Sequence, residues 1–168
     1  MLIIGICGAS GSGKSTLAKA LAARLEKPCV YIKQDSYYRD HPDLSFEERS
    51  HLNYDEPEIF EHDVLREDLL RLREGKPITT KDYDYTQHRR CDPGITLEPA
   101  DVVIIEGIHV FYDPEVRDLL DFKIYIQVDP DVCLLRRVKR DIRDRGRSVE
   151  SVYRQYLDTV PSSERAKS

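Results

Sequence analysis

The stretch Gly8-Ala9-Ser10-Gly11-Ser12-Gly13-Lys14-Ser15 fits the pattern G-x-x-x-x-G-K-[ST] at every constrained position. That spacing has a physical reason. Glycines at 8, 11 and 13 let the backbone curl until its N–H groups point inward at phosphate oxygens. Lys14 then reaches the outer phosphates, and the Ser15 hydroxyl is a ligand for Mg2+. Leu2 to Cys7, just before the loop, is an apolar run of the kind expected for a parallel strand covered on both faces. Thr16, Leu17 and Ala18 open a helix whose N-terminal dipole faces the same anion. A strand, a glycine loop and a helix in this order predict a nucleoside-triphosphate site.

Leu17, Leu21 and Leu25 repeat at helical spacing, and this first helix is expected to end before Pro28. Cys29 to Ile32 reads as the second strand, with Asp35 just past its C-terminal end. Ligands bind at that edge of open α/β sheets, so Asp35 lies near the phosphate loop if the two strands are neighbours; otherwise it simply caps the next turn. Residues 39 to 57 are polar and hold Pro42 and Pro57, predicting loop with one helical turn. A helix is expected over Glu58 to Glu74, burying Ile59, Phe60, Val64, Leu65, Leu69 and Leu72, with Gly75 as its stop.

From Pro77 to Cys91 the pattern changes. Ile78, Tyr83 and Tyr85 alternate with polar residues, followed by His88-Arg89-Arg90, which predicts a short hairpin over the sheet. Such a hairpin can grip a flat base, although strand tyrosines also commonly face solvent. Asp101 to Gly107 reads as a buried strand ending in Glu106, an acid placed either to orient Mg2+ or to face water. A turn or helix follows over Pro114 to Leu120, then a strand over Phe122 to Val128. Arg136, Arg137, Lys139, Arg140, Arg143, Arg145 and Arg147 crowd one short segment, opposed by Asp141 and Asp144. They read as a lid over a triphosphate, as a solvated face, or as an RNA-binding patch. The last would want interleaved aromatics, and residues 134 to 152 have none. Ser148 to Val160 continues as a helix ended by Pro161, and residues 161–168 form a polar tail.

At 168 residues and net charge -5, the chain is expected to be one domain that does not coat nucleic acid. It has no apolar stretch long enough for a membrane helix, and its N-terminus does not read as a secretion signal. Cys7, Cys29, Cys91 and Cys133 are scattered without a C-x-x-C pair, as in a reducing cytoplasm.

The loop does not stand alone. Gln34-Asp35-Ser36-Tyr37-Tyr38, Asn53-Tyr54-Asp55-Glu56-Pro57, Tyr83-Asp84-Tyr85-Thr86-Gln87-His88 and Glu106-Gly107-Ile108 follow it in order, as do Arg136 to Asp141 and Arg145-Gly146-Arg147. Together, over about residues 2 to 160, they resemble the uridine–cytidine kinase family within the phosphoribulokinase-like P-loop kinases. The resemblance implies an α/β P-loop fold of three layers. It has a central, mostly parallel sheet, a small β-hairpin subdomain at about 76–98 over the nucleoside site, and a helical lid at about 136–148. It implies transfer of the γ-phosphate of ATP or GTP to the 5′-hydroxyl of uridine or cytidine in the cytoplasm, with Mg2+.

By that resemblance Asp35 is the general base. Residues Gly8, Ala9, Ser10, Gly11, Ser12, Gly13, Lys14, Ser15 and Thr16 cradle the triphosphate, and Arg140 and Arg145 lie near its phosphates, with Lys14 and Arg140 acting in catalysis. Ser15 and Glu106 hold the metal. Tyr38 lines the substrate, Asp55 accepts from the ribose hydroxyls, Tyr83 and His88 read the pyrimidine, and Tyr85 packs on it. Arg137, Arg147 and Gln155 contact the nucleoside. Discrimination against 2′-deoxynucleosides is expected, up to ~10^4-fold if Asp55 is left unpaired without the hydroxyl.

Family members continue past the last helix with a sheet strand, a glycine turn at the adenine and a final helix, and they assemble as tetramers. This chain ends at Ser168, so a shortened sheet edge and a reduced adenine pocket are expected. Two alternatives stand beside the nucleoside kinase. One is a P-loop kinase for another small hydroxyl compound, such as a sugar phosphate or pantothenate. The other is a non-catalytic nucleotide-binding protein, or a basic adaptor for RNA.

Overall fold

The structure, a computed structural model, describes residues 1–159; within the last helix it does not describe the side chains of Ser151, Gln155, Asp158 and Thr159. The predicted polar tail at 161–168 therefore lies outside the described residues.

Four strands form a parallel sheet: β1 (Leu2–Gly8), β2 (Cys29–Lys33), β7 (Val102–Gly107) and β8 (Phe122–Ile126), in the order β2-β7-β1-β8. The central pair is buried almost throughout, which is why β1 and β7 read as unbroken apolar runs. One face packs Ile3, Val30, Ile32, Val103 and Ile105 against Leu65, Leu69 and Leu72 of α3 (His62–Arg73) and Val116 of α4 (Pro114–Asp118). The other face packs Ile4, Ile6, Val102 and Ile104 against Ala18, Leu21 and Ala22 of α1 (Lys14–Arg24). Helix, sheet and helix make the three layers of an α/β fold.

The sheet order departs from one expectation. β1 and β2 are not neighbours, because β7 lies between them. Asp35 therefore stands one strand further from the phosphate loop, across a gap that β7 floors. The third helix also differs: residues 57–59 form a 3-10 turn, α3 begins at His62, and Val64 is 37% exposed. Phe60 is withdrawn from the helix because its ring stacks on Tyr38 at 4.5 Å within a buried aromatic cluster with Tyr54 and Tyr83.

The predicted hairpin is two nested antiparallel ladders. β3 (Ile78–Thr80) pairs with β6 (Ile95–Leu97), and inside them β4 (Tyr83–Asp84) pairs with β5 (Arg89–Arg90). The one helical turn expected in 39–57 is α2 (Phe46–Ser50), closed by a reciprocal Ser45–Glu48 capping box. The basic segment falls in the second half of α5 (Pro130–Arg145) and the turn after it, before α6 (Val149–Thr159). In the phosphate loop Gly11 has φ +86, and a Cβ there would lie 2.3 Å from the Cys133 carbonyl oxygen. Only glycine lets the loop and the first turns of α5 approach this closely.

All four cysteines are free thiols. Among the described residues no helix is long and apolar enough to cross a membrane.

Candidate active site

The C-terminal ends of β1, β2 and β7 meet at one cavity of about 200 Å3. On one side lies the phosphate loop. Lys14 is buried, and its Nζ donates to the Ala9 carbonyl at 2.9 Å. Burial pushes its pKa down, and the Glu106 and Asp35 carboxylates push it back up. Glu106, at the end of β7, is reached by two donors on the same oxygen: Ser15 Oγ at 2.8 Å and the Tyr31 hydroxyl at 2.9 Å. Burial, then the Glu106 charge, raises the Tyr31 pKa far above its ordinary value, so Tyr31 remains a donor. The Ser15 hydroxyl and the Glu106 carboxylate make an all-oxygen donor pair beside Lys14, which suits Mg2+. Among the described residues there is no cluster of three or more His, Cys, Asp or Glu that could hold a metal. A cation here would take its other ligands from phosphate and water, as Mg2+ does.

Facing the loop is a polar and aromatic wall. Asp35 lies in the 3-10 turn Gln34–Tyr37 that follows β2, and its Oδ2 accepts the Tyr85 hydroxyl at 2.6 Å. The Arg145 guanidinium sits over the Tyr85 ring, 3.6 Å from its centroid. Tyr85 is thus held by both its hydroxyl and its face. Asp55 Oδ2 pairs with Arg137 Nη1 at 2.8 Å, and its backbone carbonyl meets His109 Nε2 at 2.7 Å. Tyr38 is buried, and its hydroxyl donates to the Tyr54 carbonyl at 3.3 Å, so it presents ring surface to the cavity. Tyr83 lies beside it, 4.8 Å between centroids. His88 stacks on Tyr54 at 5.0 Å. Burial, with the Arg147 and Arg49 charges, lowers its pKa to about 4. A neutral imidazole offers one donor and one acceptor.

The basic segment closes the top. Arg140 Nη2 reaches Ser10 Oγ at 3.2 Å, and burial lowers the Arg147 pKa. Their common anchor is Asp141, which is 0% exposed and faces Arg137, Arg140, Arg145 and Arg147.

Of the residues singled out from the sequence, Ser10, Lys14, Ser15, Asp35, Tyr38, Asp55, Tyr83, Tyr85, His88, Glu106, Arg137, Arg140, Arg145 and Arg147 all line this cavity. Thr16, Gly11 and Gly13 line a neighbouring groove on the outer side of the loop, with Lys14, Ser15 and Arg140. Gly8 and Ala9 border a third hollow behind it. Ser12 is buried within the loop. The Gln155 side chain lies outside the described residues. Sequence reasoning passed over Tyr31, His109 and the role of Asp141. For Asp141 a signal existed: it stands four residues after Arg137 and four before Arg145, on one helical face.

A family model described as Phosphoribulokinase / Uridine kinase family matches residues 3–165. A uridine kinase of Clostridium botulinum is 46% identical over 160 residues, covering 95% of this chain and 78% of that protein. One from Staphylococcus epidermidis is 47% identical over 159 residues, covering 94% and 77%. Among solved structures, a candidate fructose transport system kinase from Silicibacter sp. TM1040 superposes with a TM-score of 0.76 at 26% identity, covering 93% of this chain and 79% of that one. With a family model matched over nearly its whole length and relatives at 46–47% identity, the chain belongs to the phosphoribulokinase/uridine kinase family.

Proposed function

We propose that the protein is a nucleoside kinase that transfers the γ-phosphate of ATP or GTP to the 5′-hydroxyl of uridine or cytidine. One observation carries this reading: a single cavity is lined both by Lys14, Ser15 and Glu106 and by Asp35, Asp55, Tyr83 and His88. A phosphate cradle and an aromatic, carboxylate-bearing acceptor wall therefore share one cavity. The relatives named uridine kinase support the same acceptor.

In this reading the nucleoside lies against Tyr38 and Tyr83, with its base near His88 and its ribose hydroxyls at Asp55. Asp35 accepts the 5′-hydroxyl proton as that oxygen attacks the γ-phosphorus. Lys14, Arg140 and Arg145 stabilise charge on the transferring phosphoryl group and exclude water. Mg2+ held by Ser15 and Glu106 would neutralise phosphate charge. Positioning carries most of phosphoryl transfer, so a well-placed carboxylate suffices as the base. A sugar phosphate would call for more cations and no aromatic wall on the acceptor side.

The test is ADP release with uridine, cytidine, deoxycytidine, adenosine, pantothenate and ribulose 5-phosphate, using the wild type and Asp35→Asn. Turnover is expected with the two ribonucleosides, and Asp35→Asn is expected to lower it by about a hundredfold or more while calorimetry still detects uridine binding. Activity on pantothenate or ribulose 5-phosphate alone, or near-normal turnover by Asp35→Asn, overturns the assignment.

A further inference from the structure

The two oxygens of the buried Asp141 carboxylate face different sides of the cavity. Oδ1 takes Arg140 at 2.8 Å and Arg145 at 3.2 Å. These serve the transfer side: Arg140 also reaches Ser10 of the phosphate loop, and Arg145 covers Tyr85, whose hydroxyl is on Asp35. Oδ2 faces Arg137 and Arg147, each at 3.9 Å. These serve the acceptor side: Arg137 holds Asp55, and the Arg147 charge acts on His88. Among the described residues Oδ2 takes no hydrogen bond. A fully buried carboxylate oxygen without a hydrogen bond is costly. The gap is about 1 Å longer than a charge-assisted hydrogen bond, so a small inward shift of either acceptor-side arginine closes it.

We propose that Asp141 is a positioning residue that couples the two sides, so that a triphosphate on one tightens a nucleoside on the other. This rests on the nucleoside kinase reading above. Four guanidiniums around one carboxylate leave an excess of positive charge. A triphosphate draws on Arg140 and Arg145, relieves their repulsion of Arg137 and Arg147, and leaves more of the carboxylate charge to those two. Both then settle onto Oδ2, and Arg137 is held where it orients Asp55. Coupling between binding sites is reciprocal, so the nucleoside must tighten the triphosphate by the same factor.

The test is calorimetric titration of the Mg2+ complex of the non-hydrolysable ATP analogue AMP-PNP, with and without saturating uridine, in the wild type and in Asp141→Asn. The exchange angle is covered by amide hydrogen exchange over residues 146–148, with AMP-PNP as the sole ligand. In the wild type uridine is expected to tighten AMP-PNP on the order of tenfold, and AMP-PNP is expected to slow exchange at Arg147, whose N–H donates to the Asp141 carbonyl at 3.1 Å. In Asp141→Asn the coupling factor is expected to fall to within twofold of unity and the slowing to vanish. A purely structural role would instead lower the folded fraction and leave the factor unchanged. If Asp141→Asn does not fold, Arg147→Lys, which keeps the Oδ1 contacts, is expected to lose the same coupling. Equal factors in wild type and variant, or no coupling in a wild type that binds both ligands, overturn the proposal. A wild type that binds AMP-PNP and no nucleoside overturns the kinase reading instead, and the exchange data then decide the role of Asp141 alone.

Discussion

The Tyr85 hydroxyl donates to Asp35 Oδ2 at 2.6 Å, tying the nested hairpin to the strand-end carboxylate that faces Lys14. Hydrogen bonds to charged groups are worth about 1.5–3 kcal/mol. Tyr85→Phe keeps the ring under Arg145 and removes only the donor. Steady-state kinetics are expected to show kcat down about tenfold with little change in the KM for uridine. An unchanged kcat would detach this hydroxyl from the work of Asp35.

The Asp55–Arg137 pair changes the expected ribose selectivity. A carboxylate already paired at 2.8 Å is not orphaned when the 2′-hydroxyl is missing. Only the hydrogen bond to a charged group is lost, so kcat/KM for deoxyuridine is expected to be about a hundredfold below that for uridine, well short of the limit for an unpaired carboxylate. Equal rates on the two would remove Asp55 from the ribose.

Glu106 Oε1 takes donors from both Ser15 and Tyr31. Glu106→Gln removes the anionic oxygen proposed to hold Mg2+ and is expected to raise the Mg2+ concentration for half-maximal rate by more than tenfold. Tyr31→Phe leaves the carboxylate without one orienting donor and is expected to raise it less, by about tenfold at most, as outer-shell partners do. A Mg2+ titration of rate against free cation checks both. Identical Mg2+ curves for Glu106→Gln and the wild type would exclude Glu106 as a ligand.

His88 has a folded pKa of about 4 against 6.5 for the free side chain. Between these values the unfolded chain binds the proton and the folded chain does not, so stability rises with pH in that window. It is complete above about pH 6.5 and declines toward pH 4, by about 3 kcal/mol for a fully desolvated ring and by about 2 kcal/mol once solvent screening of this half-buried one is allowed for. Thermal melts from pH 7.5 to 5 are expected to show a steeper loss of Tm in the wild type than in His88→Gln. Parallel curves would show that His88 ionises freely in the folded protein.

The parts legible in the sequence are those with local causes. Gly8 to Ser15 is a contiguous geometric device, β1 and β7 announce themselves by unbroken burial, and Glu106 follows its strand directly. Sheet order is not local. Nothing in residues 29–35 says that β7 will be inserted beside β2, although Asp35 and Glu106 still end on adjacent strands. The helix placed at Glu58 starts at His62 because the ring of Phe60 is claimed by Tyr38, a contact set by tertiary packing. For Asp141 the helical spacing to Arg137 and Arg145 is legible, whereas its complete burial and its pairing with Arg147 beyond the helix end are set by tertiary packing. The Tyr85 ring is legible in the alternation of the hairpin, whereas the contact of its hydroxyl with the distant Asp35 is not.

The contact between Gly11 and Cys133 makes α5 a lever with its fulcrum on the phosphate loop. The helix rises twelve steps from Cys133 to Arg145, an arm of about 18 Å. Arg137, one turn from the pivot, moves little when the helix tilts, while Arg145 sweeps roughly 1.5 Å for a tilt of about 5°. Arg137, close to the pivot, is therefore set by the scaffold, and Arg145, at the far end, by whatever it grips. A side chain at position 11 would pry the fulcrum apart and slacken the far end of the arm, at a distance where no residue had been changed.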